Sequence, residues 1–245
     1  REVQARQRDL CQQTGLRRDY FRERGGKQNQ QRSPNPTPNT TKSVLFPGSP
    51  RGTINTNRRQ ALTGDPITDN LGAVKKAPFA PGPAAKGTNP NFAPGTPYCY
   101  NCQRCAPVYE LRRRGYDVQA KAAPQNRASD VAAYGTECFT DKAGKPVSFD
   151  WSNRLTRSEL ESTLALAPNG ARYMIYVKWD DRHAHVYNAE KLLNMTLYID
   201  AQNPDAKAMK YLSQGINGEF AIIRTDDKLI TTDSRILSAI MEATP

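Results

Sequence analysis

The chain has 245 residues, with 35 Lys and Arg against 24 Asp and Glu, so that its net charge is +11. Its mean hydropathy of −0.75 is low for a chain that is globular throughout, no apolar run approaches the roughly 20 residues of a membrane span, and no segment has the pattern of a secretory signal. We therefore exclude a transmembrane protein, a collagen and a coiled coil, and because the chain starts at Arg1 we expect it to be a fragment.

Proline and positive charge are concentrated in the first part of the chain. Residues 1–97 hold 12 of the 18 Pro, and 16 Lys and Arg against six Asp and Glu, whereas residues 98–245 are nearly balanced in charge. Such a composition cannot bury enough apolar surface to offset the entropy of ordering it. We predict a basic helical tail at 1–24, a Pro- and Gly-rich disordered linker at 25–97 and a globular domain at 98–245.

The basic tail indicates an acidic partner, and its sequence resembles a phage protein. Its arginines (Arg17, Arg18, Arg22 and Arg24) favour docking on nucleic acid or another acidic surface, although no finger-type Cys and His spacing supports sequence-specific readout. The RE-QAR-RD run and QTGLRRDYFRER resemble the C-terminal end of phage minor head proteins. This resemblance implies a virion or prophage protein, found in the virion or the producing bacterium, to which an effector domain has been joined.

The residues after the linker predict a leading helix followed by a run of neighbouring strands, with two further helices. A helix is expected at 102–115 with Gly115 as its C-terminal cap, and a second begins at the capping box of Thr156 and Glu159 and runs to about residue 167. Apolar and β-branched residues predict strands at 116–120, 171–179, 183–189, 195–202 and 218–224, followed by a helix at 234–243 capped by Asp233. This order is typical of an α+β fold with a mostly antiparallel sheet.

Cysteine, histidine and aspartate follow one another in an order that suits a thiol enzyme. Cys102 lies at the start of a predicted helix, His183 and His185 lie on a predicted strand, and Asp200 ends the next strand. A helix N-terminus carries about half a positive charge, which lowers the pKa of a thiol placed there. A histidine can transfer the proton, and a carboxylate behind it fixes the imidazole tautomer.

The same cysteines allow a second interpretation, a metal site. The C-x2-C-x2-C spacing of Cys99, Cys102 and Cys105 is compatible with zinc or an iron–sulfur cluster. Cys138 or a histidine would be the fourth ligand. A zinc ribbon, however, pairs two separated C-x2-C knuckles, and only a single cysteine follows here. We therefore expect no metal and no other cofactor.

Three motifs resemble the papain-fold toxin family, the glutamine-deamidase type of bacterial polymorphic toxins. They are NCQRCAPVYELRRRGYDVQA, RYMIYVKWDDRHAHVYNAE, and LYIDAQ with FAIIRTDD, in the family's order from Tyr98 to Asp227. The resemblance implies a papain-like α+β fold and a catalytic triad, with no counterpart for His183. Residue by residue it implies the triad Cys102, His185 and Asp200, with Asn101 and Gln202 in supporting or oxyanion roles.

The resemblance also implies a partner and a place of action. The substrate would be a host protein with a reactive glutamine in the cytoplasm of the target cell, and an immunity protein would be a second partner. We expect no membrane partner.

One residue complicates the choice of nucleophile. Pro107 has no N–H, so it costs a helix no backbone hydrogen bond only when it lies in the first turn. A helix that begins just before Cys102 places Pro107 in its second turn, whereas one that begins near Arg104 places Cys105 in its first turn. The family motif favours Cys102, and helix stereochemistry supports Cys105 as the alternative nucleophile.

Several functions remain open at this stage. The leading interpretation is glutamine deamidation through a thioester, and a cysteine protease or a transglutaminase would use the same triad with a different leaving group or acceptor. A non-enzymatic virion component and a metal-stapled binding module are alternatives from other classes.

Overall fold

The computed structural model describes residues 63–126, 129–180, 183–215 and 219–245. The predicted basic tail at 1–24 and the linker prediction for 25–62 lie outside these residues. Among the described residues, no helix has the length and apolar character needed to cross a membrane.

The linker prediction is wrong from Thr63 onward. Residues 63–97 contain two helices, α1 (Pro66–Leu71) and α2 (Pro81–Thr88), and Ile67, Ala84 and Thr88 are fully buried. Each helix begins with a proline, whose fixed φ suits the first helical position. The prolines that predicted an extended linker are therefore, in part, helix starts.

The centre of the molecule is a four-stranded antiparallel sheet in the order β5-β4-β3-β6. Its strands are β3 (Arg172–Lys178), β4 (Ala184–Leu192), β5 (Met195–Ile199) and β6 (Phe220–Arg224). Two short antiparallel pairs flank it: β1 (Val118–Ala120) with β8 (Met241–Ala243), and β2 (Phe139–Thr140) with β7 (Leu229–Ile230). The α+β fold with a mostly antiparallel sheet is confirmed.

Helices cover both faces of this sheet. On one face lies α3 (Cys102–Arg113), which is buried along most of its length and contacts β4 and β3. On the other lies α4 (Arg157–Ala165), which begins at the predicted capping box and buries Leu160 and Leu164 in a second apolar cluster. The strand side chains alternate between the two clusters, because successive residues of a strand point to opposite faces.

The C-terminal half of α3 is fixed to the sheet by buried ion pairs. Glu110 accepts hydrogen bonds from Arg114 (2.7 Å) and from Arg172 of β3 (2.7 and 2.9 Å). Glu190 of β4 accepts bonds from Arg113 and from the Tyr109 hydroxyl. Because both carboxylates are buried, these paired contacts define how α3 lies across the strands, and so where its N-terminus lies.

The last predicted helix is shorter than expected. It runs as α5 (Ser234–Ile240), with Asp233 as its N-cap, and the chain then changes to strand β8 instead of continuing as a helix to residue 243. Residues 241–243 pair with β1, and the carbonyl of Ile240 accepts a hydrogen bond from Lys121. The available strand partner overrides the helical propensity of Met, Glu and Ala.

Candidate active site

The first residue of α3 is Cys102, and the residue before it, Asn101, is the N-cap. The Asn101 carbonyl accepts bonds from the N–H groups of Arg104 (2.8 Å) and Cys105 (3.0 Å), as at a regular helix start. Pro107 therefore lies in the second turn, inside the helix. The helix begins where the family motif requires, and the later start that would have favoured Cys105 is not observed.

His185 lies at the beginning of β4, beside the N-terminus of α3. Antiparallel pairing of β4 with β5, in the register Asn188↔Ile199, brings the end of β5 next to the start of β4. As a result, Nε2 of His185 lies 3.2 Å from Oδ2 of Asp200, with both side chains almost completely buried. The distance is that of an ion pair, but the ring N–H is not aligned closely enough with an acceptor to form a full hydrogen bond.

The imidazole also contacts the cysteine at the helix start. The side chain of Cys102 hydrogen-bonds to His185. Since Nε2 faces Asp200, Nδ1 is the nitrogen that remains for the sulfur. The structure thus brings Cys102, His185 and Asp200 together in one chain of contacts from three different elements.

The Asp200 carboxylate is held by donors on both oxygens. Oδ1 accepts the backbone N–H groups of Gln202 (3.0 Å) and Asn203 (3.2 Å), and Oδ2 accepts the Tyr211 hydroxyl at 2.5 Å. Burial by itself would raise the pKa of Asp200, but the His185 charge and these donors outweigh it and leave the pKa lowered. The carboxylate is therefore ionised at neutral pH.

The protonation of His185 follows from its neighbour. Burial by itself would lower the pKa of the imidazole, but the negative charge of Asp200, the 3.2 Å contact with its carboxylate and the hydrogen bond with Cys102 raise it to about 10. At neutral pH the ring is consequently an imidazolium next to the cysteine sulfur. A cation in this position favours a thiolate, the nucleophilic form of cysteine.

Asn101 is a hub that joins the parts of the site. Its Nδ2 donates to Asn89 Oδ1 (3.2 Å) and to the carbonyl of Lys121 (2.9 Å). Its Oδ1 accepts bonds from Asn89, Cys105 and Gln202. Both amide hydrogens are occupied, so the geometry suits a supporting role for Asn101 better than donation to an oxyanion.

Gln202 lies on the other side of this hub. Its side-chain Nε2 donates to Asn101 Oδ1 at 3.4 Å, and its backbone carbonyl accepts a hydrogen bond from Asn89 Nδ2 at 2.9 Å. Because Nε2 carries two hydrogens, this one bond leaves the second hydrogen without an acceptor among the described residues. Gln202 can therefore donate to a substrate oxygen.

The alternative nucleophile, Cys105, is enclosed in the core. It is 1% exposed, and its thiol donates to Asn101 Oδ1 at 3.2 Å. Burial, together with the charges of Cys102 and Asp200, raises its pKa well above the ordinary value for a thiol. Cys105 is therefore held as a neutral thiol, whereas Cys102 is partly exposed.

The second histidine is placed apart from this group. The sequence predicted His183 and His185 on one strand, but β4 begins at Ala184 and His183 precedes it. Its Nδ1 lies 2.7 Å from the Asp180 carboxylate, and its side chain is partly exposed. The His183 ring therefore contacts the hairpin between β3 and β4, and not the group formed by Cys102, His185 and Asp200.

Two residues near the site had no signal in the sequence. Asn89 lies in the predicted linker, and Tyr211 lies in a 3-10 helix (Ala208–Ser213) between the LYIDAQ and FAIIRTDD motifs. Trp179, which stacks on the His185 ring at 5.2 Å, could have been suspected because an aromatic residue ends a predicted strand next to the histidines. The contacts of Asn89 and Tyr211 depend on tertiary folding alone.

The described residues contain no cluster of side chains that would support the metal interpretation. In the part of the chain that the structure describes, no three His, Cys, Asp or Glu side chains are grouped so that they could hold a metal ion. Cys99 and Cys138 are buried separately in the core.

Comparison with known proteins agrees with the motifs. The family model described as papain fold toxin 1, glutamine deamidase, matches residues 100–204. Neither the curated proteins nor the solved structures gave a significant match. The resemblance of the basic tail to phage minor head proteins stays a prediction. The matched segment contains Cys102, His185 and Asp200 in a papain-like α+β fold, and residues 100–204 are similar to the papain-fold toxin family of the glutamine-deamidase type.

Proposed function

We propose that this domain hydrolyses the side-chain carboxamide of a glutamine in a host protein, through a thioester on Cys102. The observation that supports this most directly is the chain of contacts from Cys102 to His185 and on to Asp200, with Nε2 and Oδ2 3.2 Å apart. It lies inside the segment matched to glutamine-deamidase toxins. The products are a protein glutamate and ammonia.

In the first half of the reaction the Cys102 thiolate attacks the amide carbon of the glutamine. A C–S bond forms and the carbonyl electron pair moves to the oxygen, which gives a tetrahedral oxyanion. When the carbonyl re-forms, the C–N bond breaks and the leaving nitrogen takes a proton from the His185 imidazolium. Ammonia departs, and the enzyme holds a thioester and a neutral imidazole.

In the second half a water molecule resolves the thioester. Neutral His185 takes a proton from the water, whose oxygen attacks the thioester carbon. The C–S bond then breaks, so that the thiolate and the imidazolium are restored and the glutamate is released. Asp200 stays ionised throughout and stabilises the imidazolium by its charge.

Two groups can stabilise the oxyanion. The N-terminus of α3 contributes its partial positive charge at the sulfur. The side-chain amide of Gln202 is a second donor, because the neighbouring Asn101 uses both of its own amide hydrogens. We assign Asn101 to support and Gln202 to the oxyanion.

A protease or transglutaminase would use the same groups. A protease would expel a peptide amine instead of ammonia, and a transglutaminase would accept a lysine amine instead of water. The family description favours deamidation over both. The remaining parts of the proposal, a target in the cytoplasm of a recipient cell, an immunity protein as partner and a virion origin, extend the family resemblance.

The test is mass spectrometry of candidate host proteins after incubation with the full chain. Deamidation converts an amide to an acid with a small gain in mass, proteolysis gives fragments, and transglutamination gives cross-links. We expect the small gain with the wild type and none with Cys102→Ala or His185→Ala, whereas His183→Ala should remain active. An active Cys102→Ala variant would overturn the thioester mechanism.

A further inference from the structure

A single oxygen of Asp200 is shared by two donors. Oδ2 lies 2.5 Å from the Tyr211 hydroxyl and 3.2 Å from Nε2 of His185. The phenol makes a short, directed hydrogen bond, whereas the imidazole N–H is not well aligned with any acceptor among the described residues. Of the two contacts to Oδ2, the bond from Tyr211 is therefore the better formed.

Tyr211 reaches this oxygen from outside the matched segment. It belongs to the 3-10 helix Ala208–Ser213, beyond residue 204, and is almost fully buried. Its ring meets the His185 ring edge-on, with centroids 5.0 Å apart and planes at 73°. Trp179 stacks on the same imidazole, with centroids 5.2 Å apart. Tyr211 therefore touches both the carboxylate and the base that it serves.

We infer that Tyr211 is a positioning residue of the proposed reaction, whose hydroxyl holds the Asp200 carboxylate ionised and directed at His185. This inference rests on the proposed function. With Oδ1 tied to two backbone N–H groups, the phenol is the side-chain donor that sets the rotation of Oδ2. Asp200 can then stabilise the imidazolium without turning away from it.

The charged surroundings of Asp200 define what a loss of this bond should do. The titratable groups that face it are His185 from β4, Cys105 from α3, and Tyr211 itself. Cys102 from α3 interacts in turn with His185 and Tyr211. A carboxylate that loses a hydrogen-bond donor is easier to protonate. Removal of the hydroxyl should therefore move the low-pH limb of activity to higher pH.

The chain offers a matched control in Tyr187. Its ring lies 5.3 Å from that of Tyr211, and it is likewise buried beside the same imidazole. Its hydroxyl, however, has no hydrogen-bond partner among the described residues. Tyr187→Phe removes the same atom from the same cluster without removing a contact to Asp200.

The experiment compares Tyr211→Phe and Tyr187→Phe in the full chain, with ammonia release from carbobenzoxy-glutaminylglycine as the assay. We expect Tyr211→Phe to lower kcat about tenfold at unchanged KM and to shift the low-pH limb upward, and Tyr187→Phe to change neither. Replacement of Tyr211 by a fluorotyrosine keeps the ring and strengthens the donor, so the limb should move to lower pH. Equal effects of the two Phe variants would overturn the inference. A low-pH limb of activity that does not move when fluorotyrosine replaces Tyr211 would overturn it as well.

A readout without activity separates this inference from the proposed function. The Nε2–H resonance of His185 in a ¹⁵N-labelled chain should move in Tyr211→Phe and stay in place in Tyr187→Phe. A wild type that releases no ammonia from any glutamine substrate, while this resonance responds as expected, would refute the deamidase and leave the role of Tyr211 intact. A resonance that is unchanged in Tyr211→Phe would refute that role even in an active enzyme.

Discussion

Gly135 lies where Pro107 interrupts the hydrogen bonding of α3. Pro107 has no N–H for the carbonyl of Gln103, four residues earlier in the helix. Gly135 packs directly against this carbonyl oxygen and against the Pro107 ring, so close that an added Cβ atom would overlap the oxygen. The glycine also has a φ of +79°, which other residues rarely adopt. A close backbone approach thus accompanies the proline in the nucleophile helix.

Gly135→Ala should therefore destabilise the protein strongly. We expect a loss of about 2–4 kcal/mol in the free energy of unfolding, from the positive φ and the overlap with rigid backbone. Urea denaturation measures it. Gly144→Ala is the matched control, because Gly144 has the same φ but open space around it. Similar losses at both positions would show that the contact with Gln103 is unimportant.

The buried ion pairs of α3 predict a large effect of Glu110. Glu110→Ala leaves Arg172 and Arg114 without their carboxylate, and the loss of one partner of a buried pair costs about 3–5 kcal/mol. Glu161→Ala breaks the exposed pair with Arg157 and should cost less than about 0.5 kcal/mol. Thermal denaturation of both variants checks the contrast. A small loss of stability in Glu110→Ala would mean that the network does not hold α3.

The two cysteines of the nucleophile helix should differ in reactivity. Burial raises the pKa of Cys105, so that it stays a thiol, while the partly exposed Cys102 faces an imidazolium. Iodoacetamide at neutral pH should label Cys102 before Cys105, and peptide mass spectrometry identifies the site. Cys105→Ala should keep most of the activity, because the thiol that it removes is neutral and its bond to Asn101 Oδ1 is one of several that this oxygen accepts. If Cys105 were labelled first, the nucleophile would have to be reassigned.

The raised pKa of His185 gives stability a defined pH dependence. The folded-state pKa of about 10 exceeds the unfolded value of about 6.5, so the imidazolium stabilises the fold fully below pH 6.5 and loses this contribution as the pH rises toward 10. The difference in unfolding free energy between the wild type and His185→Gln should therefore shrink over that interval. A constant difference from pH 6.5 to 10 would contradict the ion pair.

A truncation series tests the corrected domain boundary. A chain that starts at Pro97 loses α1, α2 and Asn89, whose amide joins Asn101 to Gln202. We expect it to unfold at a much lower temperature than a chain that starts at Thr63, because it lacks the buried Ile67 and Ala84 and exposes the core residues that pack against them. Equal melting temperatures would favour the boundary near residue 97 that composition predicted.

Local signals in the sequence determined most of the elements. The capping box of Thr156 and Glu159 marks the start of α4, and β-branched and aromatic residues mark β3. These predictions hold because capping and side-chain periodicity act between residues that are close in the chain. The motif residues of the candidate site could be listed for the same reason, since each one belongs to a short motif.

Tertiary structure decided how these parts meet. Whether residues 241–243 form a helix or a strand depends on pairing with β1, more than 100 residues earlier. Which side chains contact Asp200 and Asn101 likewise depends on how separate elements pack together. Tyr211 is eleven residues from Asp200, and Asn89 is 113 residues from Gln202. Neither leaves a periodic or spaced pattern, because a single hydrogen bond across the fold constrains one side chain and none of its neighbours.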